Sequence, residues 1–166
     1  MNQEKIKALS PQELLAASQW HFEKAGLQVE HNDYSHQAIA LIQERCKTLI
    51  DVVEQSRWFF CPVEAYDPAA LKKWVKAGAD GLLASLVEKL TALTDWEPEA
   101  IQAAVQAVVD ENEVGFAKVA QPVRIAITGG TNSPSIDQSL SQLGRDEALA
   151  RLNASRPVFA EYIANR

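Results

Sequence analysis

An all-α protein, a helical bundle of about nine helices, is the fold class that the sequence predicts, and three observations predict it. Cap-and-proline signatures recur along the chain at helix-length intervals. The apolar residues between them fall at three- and four-residue steps, the period of one helix face. The single β-branched run, Val123 to Thr128, has no second run with which to form a sheet.

Ser10-Pro11-Gln12-Glu13 is a capping box with proline at the first helical position, and Leu14, Leu15, Ser18 and Phe22 continue one face until Gly26 stops it. After the polar His31-Asn32-Asp33-Tyr34-Ser35-His36 break, Ile39, Leu41 and Ile42 lead to Arg45. Thr48 with Asp51 is a second capping box, so Cys46-Lys47 is a short connector between two helices. Asp67-Pro68 opens the next helix, and the Gly78 to Gly81 stretch separates it from one whose Leu82, Leu83, Leu86 and Leu90 share a face. Trp96-Glu97-Pro98 starts a long helix with Ile101, Val105, Val108 and Val109 inward.

Phe116 to Thr128 is the ambiguous piece. Its Val-Arg-Ile-Ala-Ile-Thr run suits a strand, whereas Phe116, Val119, Val123 and Ile127 step as a helix does, at the cost of the hydrogen bond that Pro122 cannot donate. With no partner strand, helix is the assignment. Ser133-Pro134 is expected to start the next helix, Leu143-Gly144 to end it, and a last helix to run toward Arg156-Pro157.

With 166 residues, 47% apolar and 23% charged, the chain has the composition of a globular protein of one domain or two small ones. The Cys61 to Pro68 stretch is the best boundary, giving an N-terminal helical subdomain over 1–66 and a larger C-terminal one over 67–166. Apolar runs of only a few residues and an N-terminus without a signal-peptide layout predict no membrane partner and a cytoplasmic location. A net charge of −6 argues against sequence-blind binding to DNA or any other nucleic acid, whose affinity comes from neutralising many phosphates.

Cys46 and Cys61 lie far apart without a metal-ligand spacing and read as buried or half-buried thiols. His21, His31 and His36 group loosely at one helix junction, where packed or solvated histidines are the common case. Trp20, Trp58, Trp74 and Trp96 read as core anchors rather than a base-stacking platform. Phosphate-loop, nucleophile-elbow, zinc-protease and dinucleotide signatures are absent from the sequence, so no catalytic residue and no metal ligand is assigned.

The most informative stretch runs from Gln121 to Ile136. An apolar run breaks there into Thr-Gly-Gly-Thr-Asn-Ser-Pro-Ser, whose backbone groups can meet a ligand. Lys118 and Arg124 flank it, and no acidic residue occurs from Val114 to Ile136 in a chain that is otherwise acidic, so an anionic visitor is expected.

Three segments, Glu44 to Phe60, Ala117 to Pro134 and Leu143 to Leu152, in this order and spacing, resemble the C-terminal part of bacterial glutamyl-tRNA synthetases. The opening residues 2–15 are similar to the junction that follows the catalytic region in that family, and the resemblance covers essentially the whole chain. It implies the anticodon-binding half of a class I aminoacyl-tRNA synthetase, an α-helix cage that binds the anticodon loop of the glutamate tRNA. The catalytic half, which uses ATP and Mg²⁺ to attach glutamate, has signatures that do not occur in these residues. The chain therefore reads as a piece that binds tRNA without charging it, needs no cofactor of its own, works with the catalytic domain of the same protein, and is a monomer.

By the same resemblance, Arg45 matches the arginine with which synthetases restricted to the glutamate tRNA recognise the third anticodon base, a cytosine. A guanidinium suits the acceptor edge of an unstacked base. Arg124 matches an anticodon-contacting arginine, and Ser133, Pro134 and Ile136 match the loop and helix start that approach the first anticodon bases, with Ser133 as an N-cap leaving its amides outward. Lys47, Arg57, Lys118 and Arg145 are candidates for phosphates, which position the RNA without specifying it.

Each of these has a plainer alternative. Arg45 can pair with Glu44 or Asp51 at the surface, Arg124 can tie its helix to the last helical pair, and the loop can be a simple connection. At the level of the whole chain, the alternative is a helical scaffold or protein-interaction module that has lost RNA binding. The chain also departs from its relatives in carrying Gly130-Thr131-Asn132 where one small or polar residue is common after the Thr-Gly.

Overall fold

The structure, a computed structural model, describes residues 2–166 and is all-α among them, with ten α-helices and one 3-10 turn. The chain divides into two compact units, Met1–Pro62 and Val63–Arg166. The division falls inside the Cys61 to Pro68 stretch. Val63 and Ala65 belong to the second unit because both pack against Gly129.

In the first unit, helix α1 (Gln3–Ala8) is one that the periodicity did not predict. Its six residues bury only Ile6, too few for a pattern. It is held instead by Asn2, whose side chain accepts from the Lys5 amide, and by Gln43, whose Nε2 donates to the carbonyls of Ile6 and Leu9, each at 2.6 Å. Helix α2 (Pro11–Lys24) starts at the predicted Ser10–Glu13 capping box. It ends in a Schellman arrangement, with Gly26 at φ +81° and the Leu27 amide donating back to the Phe22 carbonyl at 2.9 Å.

Helix α3 (Asp33–Ile42) runs into the 3-10 turn Gln43–Arg45, and α4 (Leu49–Phe60) follows its own capping box, Thr48–Asp51. Leu14, Leu15, Phe22, Ile39, Ile42 and Val52, all at or below 1% exposure, form the core of this unit. Trp58 joins the interior as expected, but Trp20 does not. It is 61% exposed, so the expectation that all four tryptophans are core anchors fails there. Its place on α2 is off the Leu14, Leu15, Ser18, Phe22 face, which periodicity alone already separates.

The second unit is built around α8 (Phe116–Thr128), which packs against α5 (Pro68–Trp74), α6 (Ala79–Thr91), α7 (Pro98–Asn112), α9 (Ile136–Leu143) and α10 (Arg145–Ala164). That position explains the strand-like sequence of α8. A helix surrounded on most sides needs apolar residues on most sides, so Val123, Ile125, Ala126 and Ile127 are all buried and the run loses its amphipathic gaps. Pro122 is accommodated inside this helix, with its ring buried.

Two sequence expectations need correction. The ninth helix starts at Ile136, with Ser135 at the cap position, so Ser133-Pro134 lies before it and not at its first turn. Helix α10 does not stop at Arg156-Pro157 but continues through Pro157 to Ala164. Pro157 is exposed, so the carbonyl of Asn153 that it deprives of a donor sits on a solvated face, where water can satisfy it.

Candidate nucleic-acid interface

Arg45 is the last residue of the 3-10 turn and is exposed, between a buried Gln43 and a fully buried Cys46. The backbone on its other side is equally fixed. Asp51 Oδ2 accepts from the amides of Lys47 at 3.0 Å and Thr48 at 3.2 Å, while the Asp51 amide donates to Thr48 Oγ1 at 3.1 Å. Arg45 is therefore an exposed residue whose main chain is anchored on both sides.

The Cys46 thiol donates to the Ile42 carbonyl at 3.3 Å, and burial, reinforced by the Asp51 carboxylate, pushes its pKa up to about 11. It is a packing group that holds the turn. Lys47 is exposed two residues after Arg45, and Arg57 lies exposed in the last turn of α4.

In the second unit the structure joins Arg124 and Ser133. Arg124 is half-buried, and its Nε donates to Ser133 Oγ at 3.2 Å while Nη1 donates to Gln121 Oε1 at 3.3 Å. Ser133 Oγ donates in turn to the Pro134 carbonyl at 2.8 Å, which also accepts from Ser139 Oγ at 3.2 Å. Arg124 thus ties its helix to the following loop.

Ser133 and Ile136 are 3% and 2% exposed, and Pro134 is buried. Ser133 is therefore not an N-cap that leaves its amides outward. It is an internal staple, and the exposed part of the loop is Thr131 and Asn132, with Ser135. No site role was expected of these three residues, although all three lie in the polar stretch that follows the apolar run of α8.

The start of the loop is fixed by Gly129. At φ +88° it caps α8, its carbonyl accepts from the Asp67 amide at 2.7 Å, and a Cβ there would lie 2.6 Å from the Ala65 carbonyl oxygen.

Lys118 is exposed in the first turn of α8. Arg145 is not presented in this way. Its guanidinium donates to the Leu93 carbonyl at 2.6 Å, reaches the carbonyls of Thr91 and Thr94 at 3.4 Å, and lies 5.4 Å from the centre of the Trp96 ring. It closes the C-terminal end of α6, which is where a cation belongs on a helix dipole. Among the described residues no group of three histidine, cysteine, aspartate or glutamate side chains is placed to hold a metal ion, and no helix is long and apolar enough to cross a membrane.

The architecture is that of an all-helical protein with arginines and lysines exposed on both units. A family model described as an anticodon binding domain matches residues 6–156, and the chain belongs to that family. The fold is also that of part of a glutamate tRNA ligase from Elizabethkingia meningosepticum, solved in complex with its amino acid. The TM-score is 0.83 at 22% identity, over 95% of this chain and 31% of that one. A glutamate-tRNA synthetase from Elizabethkingia anophelis matches with a TM-score of 0.75 at 23% identity, over 94% of this chain and 30% of that one. The chain spans about a third of the length of these solved proteins.

Proposed function

We propose that this chain is the anticodon-binding region of a glutamate–tRNA ligase. It holds the anticodon loop of the glutamate tRNA while a catalytic region, with ATP and Mg²⁺, performs the ligation in the cytoplasm, and it has no ligase activity alone. The observation that carries the reading is the family match over 6–156 together with Arg45 on its anchored, exposed turn.

In this reading the Arg45 guanidinium donates to the acceptor edge of the third anticodon base, and the rigid Cys46 to Asp51 backbone sets where that donor can reach. Arg124 has a different part. It holds the loop through Ser133, so that Thr131, Asn132 and the backbone around them meet the first anticodon bases. Lys47, Arg57 and Lys118 meet phosphates. With 6 basic against 8 acidic residues in the first unit and 10 against 14 in the second, few phosphates are neutralised, so binding is weak and its dependence on salt is shallow.

The test is a titration, at low salt, of two anticodon stem-loops that differ only in the third anticodon base, cytosine or guanine. The expected result is a preference for cytosine that disappears in Arg45→Gln, a loss of about 1–3 kcal/mol on the preferred loop alone. Equal losses on both loops would remove Arg45 from base reading, and absence of binding to either would remove the functional reading itself.

A further inference from the structure

Two stretches without a single acidic residue, Pro68 to Ala79 and Val114 to Ile136, lie far apart in the sequence and meet at one place in the second unit. The meeting point is a pocket of about 120 Å³ where α5 ends, α6 begins and the first turn of α8 passes. Lys73, Lys76 and Lys118 line it, with Trp74, Ala79 and Leu82 as its apolar surface, and no carboxylate is among the lining residues.

All three lysines are exposed, and Trp74 is half-buried, with Lys73 Nζ 5.4 Å from the centre of its ring. The unit carries 14 acidic residues against 10 basic ones, so three cations on one pocket without a carboxylate is a local reversal of sign. The nearest acidic residue in sequence, Asp80, lines a different groove with Asn153 and Arg156. The backbone here is held in place: Arg166 donates to the carbonyls of Val75 at 2.9 Å and Lys72 at 3.1 Å, and the Ala79 amide donates to the Lys76 carbonyl at 2.9 Å.

We propose that this pocket is a second RNA subsite, which takes a nucleobase against Trp74 and the flanking phosphates on Lys73, Lys76 and Lys118. The chemistry is that of single-strand binding, in which an aromatic face is indifferent to base identity and cations follow the backbone. Lys118 and Arg124 share α8, six residues and about 9 Å of rise apart, so the subsite lies along the same helix as the arginine that staples the loop. A lysine cluster without an aromatic surface would fit any polyanion, whereas an indole among the lysines selects a nucleic acid. This inference rests on the RNA-binding reading given above and adds to it a site that does not depend on the anticodon sequence.

The experiment compares the wild-type chain, the triple variant Lys73→Ala/Lys76→Ala/Lys118→Ala, Trp74→Ala and Trp74→Phe. Two probes are titrated across a series of potassium chloride concentrations: the glutamate anticodon stem-loop and a ten-residue oligouridylate. The expected result is a salt slope shallower by about 2 in the triple variant, since three single-strand phosphate contacts are lost. Trp74→Ala weakens binding on the order of tenfold and Trp74→Phe restores it. The exposed lysines can be removed without touching the core, and circular dichroism verifies that the variants are folded.

An unchanged slope and unchanged affinity would overturn the subsite while the anticodon reading stands. A changed slope with both Trp74 variants indifferent would overturn base stacking. If the wild type fails on the stem-loop, the anticodon reading falls. The subsite is then decided by the oligouridylate: lysine-dependent binding upholds it and no binding overturns it.

Discussion

Arg151 donates through Nη1 to the carbonyl of Ile127 at 2.7 Å, and through Nε to Glu147 Oε1 at 2.8 Å. Ile127 lies in the last turn of α8, whose terminal carbonyls have no partner within the helix. A buried guanidinium from α10 therefore supplies both a donor and a positive charge where the central helix needs them. In Arg151→Ala the carbonyl is left without this donor, and stability in urea is expected to fall by about 1.5–3 kcal/mol. Glu147→Gln, at a half-exposed partner, is expected to change it by about 0–1 kcal/mol. Equal effects of the two would place the stabilisation in the ion pair and not in the carbonyl contact.

Gly129→Ala and Gly78→Ala separate two costs of a glycine. Both residues are left-handed, at φ +88° and +93°, so each alanine carries about 1–2 kcal/mol of backbone strain. Gly78 has open space where a Cβ would go, whereas the Cβ of Gly129→Ala meets the backbone oxygen of Ala65. Thermal or denaturant unfolding is expected to show Gly129→Ala worse than Gly78→Ala by a further 1–3 kcal/mol or so, the ordinary cost of overpacking.

Thr48→Ala tests whether the backbone around Arg45 matters apart from the arginine. It removes the acceptor for the Asp51 amide and loosens the box that also holds the Lys47 amide through Asp51. A loss of about 0.5–2 kcal/mol in stability is expected. In stem-loop titrations the discrimination between cytosine and guanine is expected to narrow although Arg45 is intact; full discrimination would show that the anchored turn is dispensable.

Cys46 and Cys61 are expected to differ in reactivity. The Cys46 thiol is fully buried with its pKa raised to about 11, whereas Cys61 is partly exposed, so iodoacetamide at neutral pH modifies Cys61 first and Cys46 only on unfolding. The sign of the pH effect follows from the shift. A thiol whose pKa is higher in the folded state than in the unfolded one favours folding while it is protonated. Its stabilisation is complete below the unfolded value of 9.0 and is lost as pH rises from there through about 11. Unfolding monitored over that range is expected to show a steeper fall in the wild type than in Cys46→Ala, the Tyr66 hydroxyl, which burial also pushes up, contributing to both.

The helices were legible where they carry local chemistry. The Ser10–Glu13 and Thr48–Asp51 boxes and the prolines at 11, 68 and 98 all start the helices they announce. Features made by distant partners were not legible. Helix α1 depends on Gln43, 37 residues from Ile6, and the length of α10 depends on which side of the helix Pro157 faces. In the candidate site, Arg45 and Lys118 are exposed as their positions on a turn and a first helical turn imply. Arg145 and Ser133 look like any polar residue in a loop or helix start until the Leu93 carbonyl and Arg124 are in view. Charge in the sequence says that a group is present, and only packing says what it is already holding.

Gly129 and Gly130 are identical neighbours in the sequence but not in what they tolerate. The first is pinned by the Asp67 amide and the Ala65 oxygen, while the second has nothing within 4 Å of a would-be Cβ. Across relatives this predicts an invariant column immediately followed by a variable one, with insertions and deletions accumulating after the boundary. The loop can then change length and composition through drift while its anchor does not move, so that divergence in what the loop meets need not disturb the helix that carries it.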